Sequence, residues 1–318
     1  MIPRTFQFFS DHPGETGPVS EGSSGIPGFS HPELRLRFET GELLVGGSAG
    51  AALMGILNVT PDSFSDGGRH ATPESAVEHG RRLARDGACI IDVGGESTRP
   101  GAEPVAADVE LERTIPVIET LRSILPGSVR ISIDTMKAEV ARAACGVGAE
   151  IINDVSGLSA DPAMRATAAE LGVHVIINHM RGEPRTMQSN PSYRHLIPEI
   201  LAELAALAGA AVEAGTPEEK IIIDPGIGFG KRPAQNLEIL RHLPSFVSAG
   251  RPVAIGVSRK SFLGALGGDE GPASPGRADA TLAAETWAAL GGAHIIRTHE
   301  PARAMHAVRL GRAACGNI

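Results

Sequence analysis

The sequence predicts an α/β protein built as a single (β/α)8 TIM barrel, with a β-hairpin and a flexible tail at its amino terminus. Two observations predict this fold: short apolar runs recur along the chain, and segments with helical periodicity separate them. Parallel strands buried on both faces have near-continuous apolar sequences, and helices connect them. Eight such runs favour a closed barrel over an open doubly wound sheet, which is the weaker alternative.

The chain before the barrel has two parts. Residues 1–33 are rich in Gly, Ser and Pro, which predicts a flexible tail. The stretch LRLRFETGELLVGG alternates, turns at Thr40 and Gly41, and resumes, which is typical of a β-hairpin. We therefore expect one domain from residue 34 to residue 318 that includes the hairpin.

The barrel strands are expected from residue 54 onward. In chain order they read MGILNV, ACIIDVG, VRISIDT, EIINDVSG, VHVIINHM, KIIIDPG, PVAIGVS and AHIIRTH. Segments such as PESAVEHGRRLARDG and IPEILAELAALAGAAVEAG lie between them and have the 3.6-residue period of amphipathic helices.

Each predicted strand carries a polar residue at or near its end. These residues are Asn58, Asp92, Asp134, Asn153, His179, Asp224, Ser258 and His299. A local cap or turn explains any one of them equally well, but explains all eight together much less well. Because the carboxyl ends of barrel strands meet on one face, the pattern predicts an active site there.

Composition excludes several classes of function. The 318 residues carry a formal charge of −8, which argues against a broad nucleic-acid surface. The cysteines Cys89, Cys145 and Cys315 are far apart and lack metal-site spacing, so we expect a reducing, cytoplasmic setting. The uncharged stretch from residue 43 to residue 61 is rich in Gly and Ala and lacks basic flanks, so a membrane span or signal peptide is not expected.

Two polar loops follow the first two barrel strands. TPDSFSDGG contains Phe64, Asp66 and a glycine pair that permits unusual backbone angles. GGESTRPGAEP places Arg99 among hydroxyls and glycines, a combination that suits an anionic ligand. Each loop could be ordinary surface structure, and the alternative hypothesis is that both are lids over a bound ligand.

Later segments add an acid and several cations. DPGIGFGK is glycine-rich but lacks the Gly-Lys-Ser/Thr ending of a phosphate loop, so its informative residue is Asp224. Lys260 follows the seventh strand, while Arg297 and His299 lie two residues apart on one side of the eighth. With Arg99, the last two residues predict a clamp for a diphosphate.

These motifs resemble the dihydropteroate synthase family over about residues 50–315. The matching stretches are MGILNVTPDSFSDGG, DVGGESTRPGA, SIDT, INDVSG, HMRGEPRTMQ, DPGIGFGK, GVSRKSFLG and RTH. The resemblance implies that 4-aminobenzoate attacks (7,8-dihydropterin-6-yl)methyl diphosphate, giving 7,8-dihydropteroate and diphosphate. It also implies a homodimer.

The resemblance assigns residues to each part of the reaction. The implied catalytic residues are Asp66, Arg99, Lys260, Arg297 and His299. The implied pterin-binding residues are Asp134, Asn153, Asp224 and Lys260. The implied diphosphate-binding residues are Asn58, Arg99, Arg297 and His299, with Asn58 also binding Mg²⁺. The implied 4-aminobenzoate-binding residues are Phe64, Thr98, Pro100, Lys260 and Ser261.

The residues fit that chemistry. An aniline nitrogen is a weak nucleophile, so an enzyme must help the diphosphate leave, and arginines, a histidine and Mg²⁺ stabilise its growing charge. A carboxylate such as Asp224 can accept both N–H groups on the edge of a pterin. Asp66 is suited to stabilise the cationic carbon that remains, and the two loops to exclude water from it.

Three residues depart from the family pattern: Asn178 in place of an apolar residue, Glu300 in place of Asp, and Met136 in place of Ser. Of these, Asn178 matters most, because a buried amide needs partners. Two other functions stay open. A pterin-binding methyltransferase would keep SIDT, IND and an acid like Asp224 without the diphosphate clamp, and a non-catalytic relative would bind pterin only.

Overall fold

The computed structural model describes residues 32–60, 72–97, 102–183, 186–189, 191–267 and 274–314. Two antiparallel strands, β1 (Leu34–Phe38) and β2 (Gly41–Val45), form the predicted hairpin. Eight parallel strands follow: β3 (Ala52–Asn58), β4 (Ile90–Gly94), β5 (Arg130–Asp134), β6 (Ile151–Asp154), β7 (His174–Asn178), β8 (Ile221–Asp224), β9 (Ala254–Gly256) and β10 (Ile295–Thr298).

At least one helix follows each barrel strand. The helices are α1 (Pro73–Arg85), α2 (Ala107–Ile124), α3 (Ala138–Gly146), α4 (Met164–Leu171), α5 (Leu196–Glu213), α6 (Pro233–Arg241), α7 (Leu243–Val247), α8 (Ser261–Gly267), α9 (Pro275–Leu290) and α10 (Pro301–Ala314). The start of α1 shows why a helix begins there. Thr72 and Ser75 form a reciprocal capping box, and Pro73 occupies the first helical position.

The eight parallel strands form a barrel, as predicted. Their order is β8-β7-β6-β5-β4-β3-β10-β9, and the ends of this order meet through a parallel bridge between Ile223 and Val253. Ile223 also donates its N–H to the carbonyl of Pro252 at 2.9 Å. The prediction of a barrel is confirmed, and the open doubly wound sheet is wrong.

Alternation along the strands separates two apolar layers. The outer layer joins strands to helices and includes Leu53, Ile91, Ile131, Ile152, Val175, Ile221, Ile255 and Ile296. The inner layer fills the barrel and contains Ala52, Met54, Ile90, Ile151, Ile176, Ile222, Ala254 and Ile295. Successive side chains point to opposite faces, so residues two positions after an inner residue also face inward.

The hairpin closes the amino-terminal end of the barrel. Leu36 and Val45 belong to the inner apolar layer. Phe38 packs against the His174 ring, with 4.6 Å between ring centroids, and under the Arg130 guanidinium at 4.4 Å. This end is therefore filled, which leaves the carboxyl ends of the strands for a ligand.

Two predictions about the rest of the chain have different outcomes. Residues 1–31 lie outside the described residues, so the flexible tail stays a prediction. In the parts of the chain that the structure describes, every helix is too short or too polar to cross a bilayer.

Candidate active site

The inner residues change from apolar to polar toward the carboxyl end of the barrel. Asp92, Asn153, Asp224 and Arg297 each lie two positions after an inner isoleucine. Strand register makes several of the polar residues neighbours: Asp134 pairs with Asn153, and Asn178 pairs with Asp224. The structure thus brings the predicted strand-end residues of these strands to one end of the barrel.

Arg297 lies between two carboxylates inside the barrel. Its Nε donates to Asp92 Oδ2 and its Nη2 to Asp134 Oδ2, both at 2.6 Å. Asn153 Nδ2 donates to the same Asp92 oxygen at 3.0 Å. Burial alone would lower the pKa of Arg297, but the charges of Asp92 and Asp134 outweigh it and hold that pKa above its usual range.

Asp92 is a site residue whose contacts the sequence did not reveal. It is 0% exposed, whereas the Arg297 side chain is 21% exposed. Two carboxylates share one guanidinium here. Burial raises the pKa of Asp134, Arg297 lowers it, and the nearby Asp92 charge raises it again. The inward position of Asp92 on β4 is the signal that marks it.

Asn58 lies beside this ion pair. A Cβ atom at Gly94 would be 3.7 Å from both Asn58 Oδ1 and Asp134 Oδ2. The amide oxygen of Asn58 and the carboxylate of Asp134 therefore face the same small space above Gly94. The absence of a side chain at Gly94 keeps that space open.

Asp224 is held by the turn that follows β8. Its Oδ1 accepts the Gly226 N–H at 2.7 Å. Burial raises the pKa of Asp224 to about 6, opposed by the Gly226 hydrogen bond and by the charge of Lys260. The carboxylate keeps its second oxygen for a ligand, since the Gly226 bond uses Oδ1 only.

Lys260 covers an aromatic face beside Asp224. Its Nζ lies 4.1 Å from the centroid of the Phe229 ring, and its side-chain stem passes Gly228. Burial lowers the pKa of Lys260 to about 8, helped by Arg297 and opposed by Asp224. Ser261 comes next as the exposed first residue of α8. Phe229 was missed by sequence reasoning, although it lies in the quoted DPGIGFGK motif.

His299 lies just after β10 and is held by the neighbouring strand end. Its Nδ1 is 2.9 Å from Ser258 Oγ, and its backbone N–H donates to the same oxygen at 3.2 Å. Arg297 and His299 thus belong to one end of the barrel but have different partners. Ser258 orients the imidazole, a role that the strand-end pattern alone could not assign.

Asn178, the departure singled out above, has a partner. It is 2% exposed, and its Nδ2 donates to the carbonyl of Val155 at 2.9 Å. This bond gives the amide nitrogen a partner and fixes its orientation beside Asp224. Glu300 forms an ion pair with Arg259 at 3.2 Å.

Five of the predicted site residues belong to the two loops that follow the first two barrel strands. Phe64, Asp66, Thr98, Arg99 and Pro100 lie outside the described residues. Both lids and the Arg99 part of the diphosphate clamp therefore stay predictions.

Comparison with known proteins places the chain in a family. The model of the pterin binding enzyme family matches residues 54–299. Dihydropteroate synthase from Escherichia coli K12 is 45% identical over 81% of this chain and 89% of its own length.

Two solved structures support the same family assignment. Yersinia pestis dihydropteroate synthase, solved in a sulfonamide drug complex, superposes with a TM-score of 0.82 at 38% identity over 88% of this chain and 98% of its own. The Xanthomonas albilineans enzyme, solved with 7,8-dihydropteroate, superposes with a TM-score of 0.75 at 40% identity over 86% of this chain and 95% of its own. The chain therefore belongs to the dihydropteroate synthase family of pterin-binding enzymes.

Proposed function

We propose that this chain condenses (7,8-dihydropterin-6-yl)methyl diphosphate with 4-aminobenzoate, forming 7,8-dihydropteroate and diphosphate in folate biosynthesis. The observation that carries the proposal is the convergence of acids, amides and cations at one end of the barrel. Its members are Asp134, Asn153, Asp224, Lys260 and Arg297. The product named in the Xanthomonas structure contains both substrate fragments.

The pterin is bound through its hydrogen-bonding edges. Asp224 accepts the amino group and the adjacent ring N–H, because its Gly226 bond occupies only one lone pair. Asn153 uses Nδ2 to contact Asp92, which leaves its Oδ1 as an acceptor for the ring. Asp134 contacts the far edge of the pterin, and Lys260 covers one side of the pocket.

Diphosphate is bound by the cationic side of the site. Arg297 uses two of its five N–H donors for Asp92 and Asp134, so it can bind a phosphate oxygen without leaving the carboxylates. His299, oriented by Ser258, provides a second contact, and Arg99 a third. These groups stabilise the charge that gathers as the carbon–oxygen bond breaks.

The reaction then proceeds by loss of the leaving group. The bonding pair of the carbon–oxygen bond goes to diphosphate and leaves a cationic methylene carbon on the pterin. The aniline nitrogen of 4-aminobenzoate forms the new carbon–nitrogen bond and loses one proton. Asp66 stabilises the cation, and Phe64, Thr98, Pro100, Lys260 and Ser261 form the 4-aminobenzoate pocket.

The residues present fit a magnesium ion that is held mainly by the substrate. Mg²⁺ prefers oxygen ligands and keeps water and phosphate in its shell. Among the described residues, no group of three His, Cys, Asp or Glu side chains could hold a metal ion. Asn58 provides one neutral oxygen beside Asp134. When bound, the ion supplies charge neutralisation to the leaving diphosphate.

The chain is also proposed to act as a homodimer in the cytoplasm. Trp287 on α9 and Leu310 on α10 are large apolar side chains that are 55% and 54% exposed, and these two helices pack against each other. Cys89 and Cys145 are free thiols, as is typical of a reducing compartment. Sedimentation of the wild type beside Trp287→Lys tests the dimer, since the variant should sediment as a monomer.

A diphosphate-release assay tests the proposed function. We expect product formation to require both substrates and to be lost in Asp224→Asn. A methyltransferase would instead transfer a methyl group from methyltetrahydrofolate. A non-catalytic relative would bind pterin without releasing diphosphate when 4-aminobenzoate is added.

A further inference from the structure

The loop after β7 and the loop after β8 are joined by one buried lysine. Lys231 is 2% exposed, and its Nζ contacts His179 Nδ1 at 2.9 Å, the His179 carbonyl at 3.1 Å and the Phe229 carbonyl at 2.9 Å. An ammonium group has three donors, and here each has an acceptor. None of the roles proposed above uses this residue.

The protonation of His179 agrees with that arrangement. Burial, together with the Lys231 charge and against the Glu203 carboxylate, lowers the pKa of His179 to about 4, so the ring is neutral near pH 7. Its Nδ1 accepts from Lys231, while its Nε2 donates to Glu203 Oε2 at 2.9 Å. Glu203 lies on α5 and also accepts from Arg181 Nε at 3.1 Å. The lysine is therefore the inner end of a network anchored on a helix.

The two loops are also in contact through their backbones. Gly226 has a φ of +72°, and a Cβ atom there would lie 1.8 Å from the His179 carbonyl oxygen. At Gly230, with a φ of +65°, a Cβ atom would lie 2.6 Å from the Arg181 carbonyl oxygen. Two glycines of DPGIGFGK thus permit close approach of the other loop. Tyr193 Oη adds a hydrogen bond to the Gly230 carbonyl at 3.0 Å.

The loop that Lys231 holds also forms the pterin side of the site. The Gly226 N–H binds Asp224, and the Phe229 ring lies under Lys260. The buried Lys231 ammonium donates to the Phe229 carbonyl in the same loop. A shift of this loop would therefore move the backbone partner of Asp224 and the aromatic face together.

We propose that Lys231 is a positioning residue for pterin binding: its ammonium joins the two loops and so holds Asp224 and Phe229 in the arrangement that receives the pterin. The inference rests on the proposed function, because it concerns the same pterin site. It adds a residue that touches no substrate and acts through Asp224 and Phe229.

Charge gives a second effect of the same lysine. Burial raises the pKa of Asp224 to about 6, and that rise is opposed by the Gly226 hydrogen bond and by the charges of Lys260, Lys231 and Arg297. The charged groups that act on Lys231 are Asp224, Lys260, Glu203 and Arg181, beside the neutral His179. Burial lowers the pKa of Lys231 itself to about 7. Loss of the lysine should raise the pKa of Asp224. As the pH is lowered, pterin binding should therefore begin to weaken at a higher pH than in the wild type.

Calorimetry with 6-hydroxymethyl-7,8-dihydropterin and steady-state kinetics test the proposal in Lys231→Met. We expect the Kd for that pterin and the KM for the pterin diphosphate to rise about 10- to 100-fold. The KM for 4-aminobenzoate should change by less than about threefold, because a positioning effect confined to the pterin side leaves the other pocket intact. The acid limb of pterin binding, which is the fall in affinity as the pH is lowered and Asp224 becomes protonated, should move to higher pH.

Three further variants separate positioning from stability. Lys220→Met is the matched control. Lys220 lies immediately before the amino-terminal end of β8, far from the site, and donates to the Arg37 carbonyl at 2.6 Å, so its loss should leave pterin affinity unchanged. Tyr193→Phe removes a bond between the two loops but no charge. Lys231→Arg keeps the charge but not the three-acceptor fit. Both should raise the pterin Kd without moving the acid limb.

The outcomes are distinct. A folded Lys231→Met protein with wild-type pterin Kd and acid limb would overturn the inference, even if its melting temperature falls. If that variant does not fold, unchanged pterin Kd in both Lys231→Arg and Tyr193→Phe would overturn it. Failure of the wild type to bind the pterin at all would instead contradict the proposed function.

Discussion

Replacing Arg297 with Met should destabilise the ligand-free protein by about 3 kcal/mol at pH 8. Arg297 donates at 2.6 Å to both Asp92 and Asp134, and Asp92 is 0% exposed. Removing one partner of a buried ion pair costs roughly 3–5 kcal/mol, because the remaining charge is left uncompensated. The Arg297 side chain is 21% exposed, so solvent screening places the expected loss at the lower end.

The loss should depend on pH in a definite direction. Burial already raises the pKa of Asp134, and removal of Arg297 removes the charge that lowers it. A carboxyl group whose pKa is higher in the folded than in the unfolded state favours folding at low pH and loses that contribution as pH rises through the folded pKa. The stability difference between wild type and Arg297→Met should therefore be largest near pH 8 and smallest near pH 5.

Asp92→Asn in the Arg297→Met background is the matched control. It replaces one of the two unpaired carboxylates with an uncharged amide of similar shape. It should therefore restore roughly half of the lost free energy of unfolding. Urea denaturation followed by circular dichroism at pH 5 and pH 8 measures all three proteins. The reasoning is refuted if Arg297→Met is as stable as the wild type at pH 8, or if adding Asp92→Asn destabilises it further.

Three further predictions concern ligands and a buried acid. Arg297→Met should weaken calorimetric binding of the pterin diphosphate by about 2–4 kcal/mol more than binding of a pterin without phosphates, and equal weakening would remove Arg297 from the diphosphate site. Asp224→Asn should abolish pterin binding while circular dichroism stays native, and wild-type affinity should fall as pH drops through about 6, where Asp224 becomes protonated. Burial raises the pKa of Glu285 to about 7, so the protonated side chain favours the folded state. This contribution to the free energy of unfolding is complete below the pKa of the unfolded chain and is lost as the pH rises through 7. Glu285→Gln should therefore raise the melting temperature relative to wild type at pH 8 but not at pH 4, and equal shifts at both pH values would contradict this.

Periodicity was sufficient to predict the barrel and the end that carries the site. Near-continuous runs such as KIIIDPG gave the strands, and the polar residue that follows each run gave the face. The order of parallel strands around a barrel also makes β5 a neighbour of β6, and β7 a neighbour of β8. These features are local or repeat regularly, which is why one sequence reveals them.

Long-range partners could not be predicted in the same way. Arg297 and Asp92 are 205 residues apart, and their contact depends on strand register and on which side chains face inward. Lys231 is the last residue of the glycine-rich motif DPGIGFGK, which on its own is a weak signal and lacks the ending of a phosphate loop. The structure shows that two of its glycines allow close approach to the loop carrying His179 and Arg181. Ser258 contacts His299 because β9 and β10 are neighbours in the barrel, a long-range pairing that the sequence pattern does not show.

Product analysis with labelled 4-aminobenzoate tests the central claim most directly. The purified chain is incubated with (7,8-dihydropterin-6-yl)methyl diphosphate, Mg²⁺ and 4-aminobenzoate carrying ¹⁵N in its amino group, and the products are analysed by mass spectrometry. We predict 7,8-dihydropteroate that retains the label, formed in equal amount with diphosphate and absent for Asp224→Asn. Diphosphate without labelled dihydropteroate, or no turnover by a folded wild-type protein, would contradict the account.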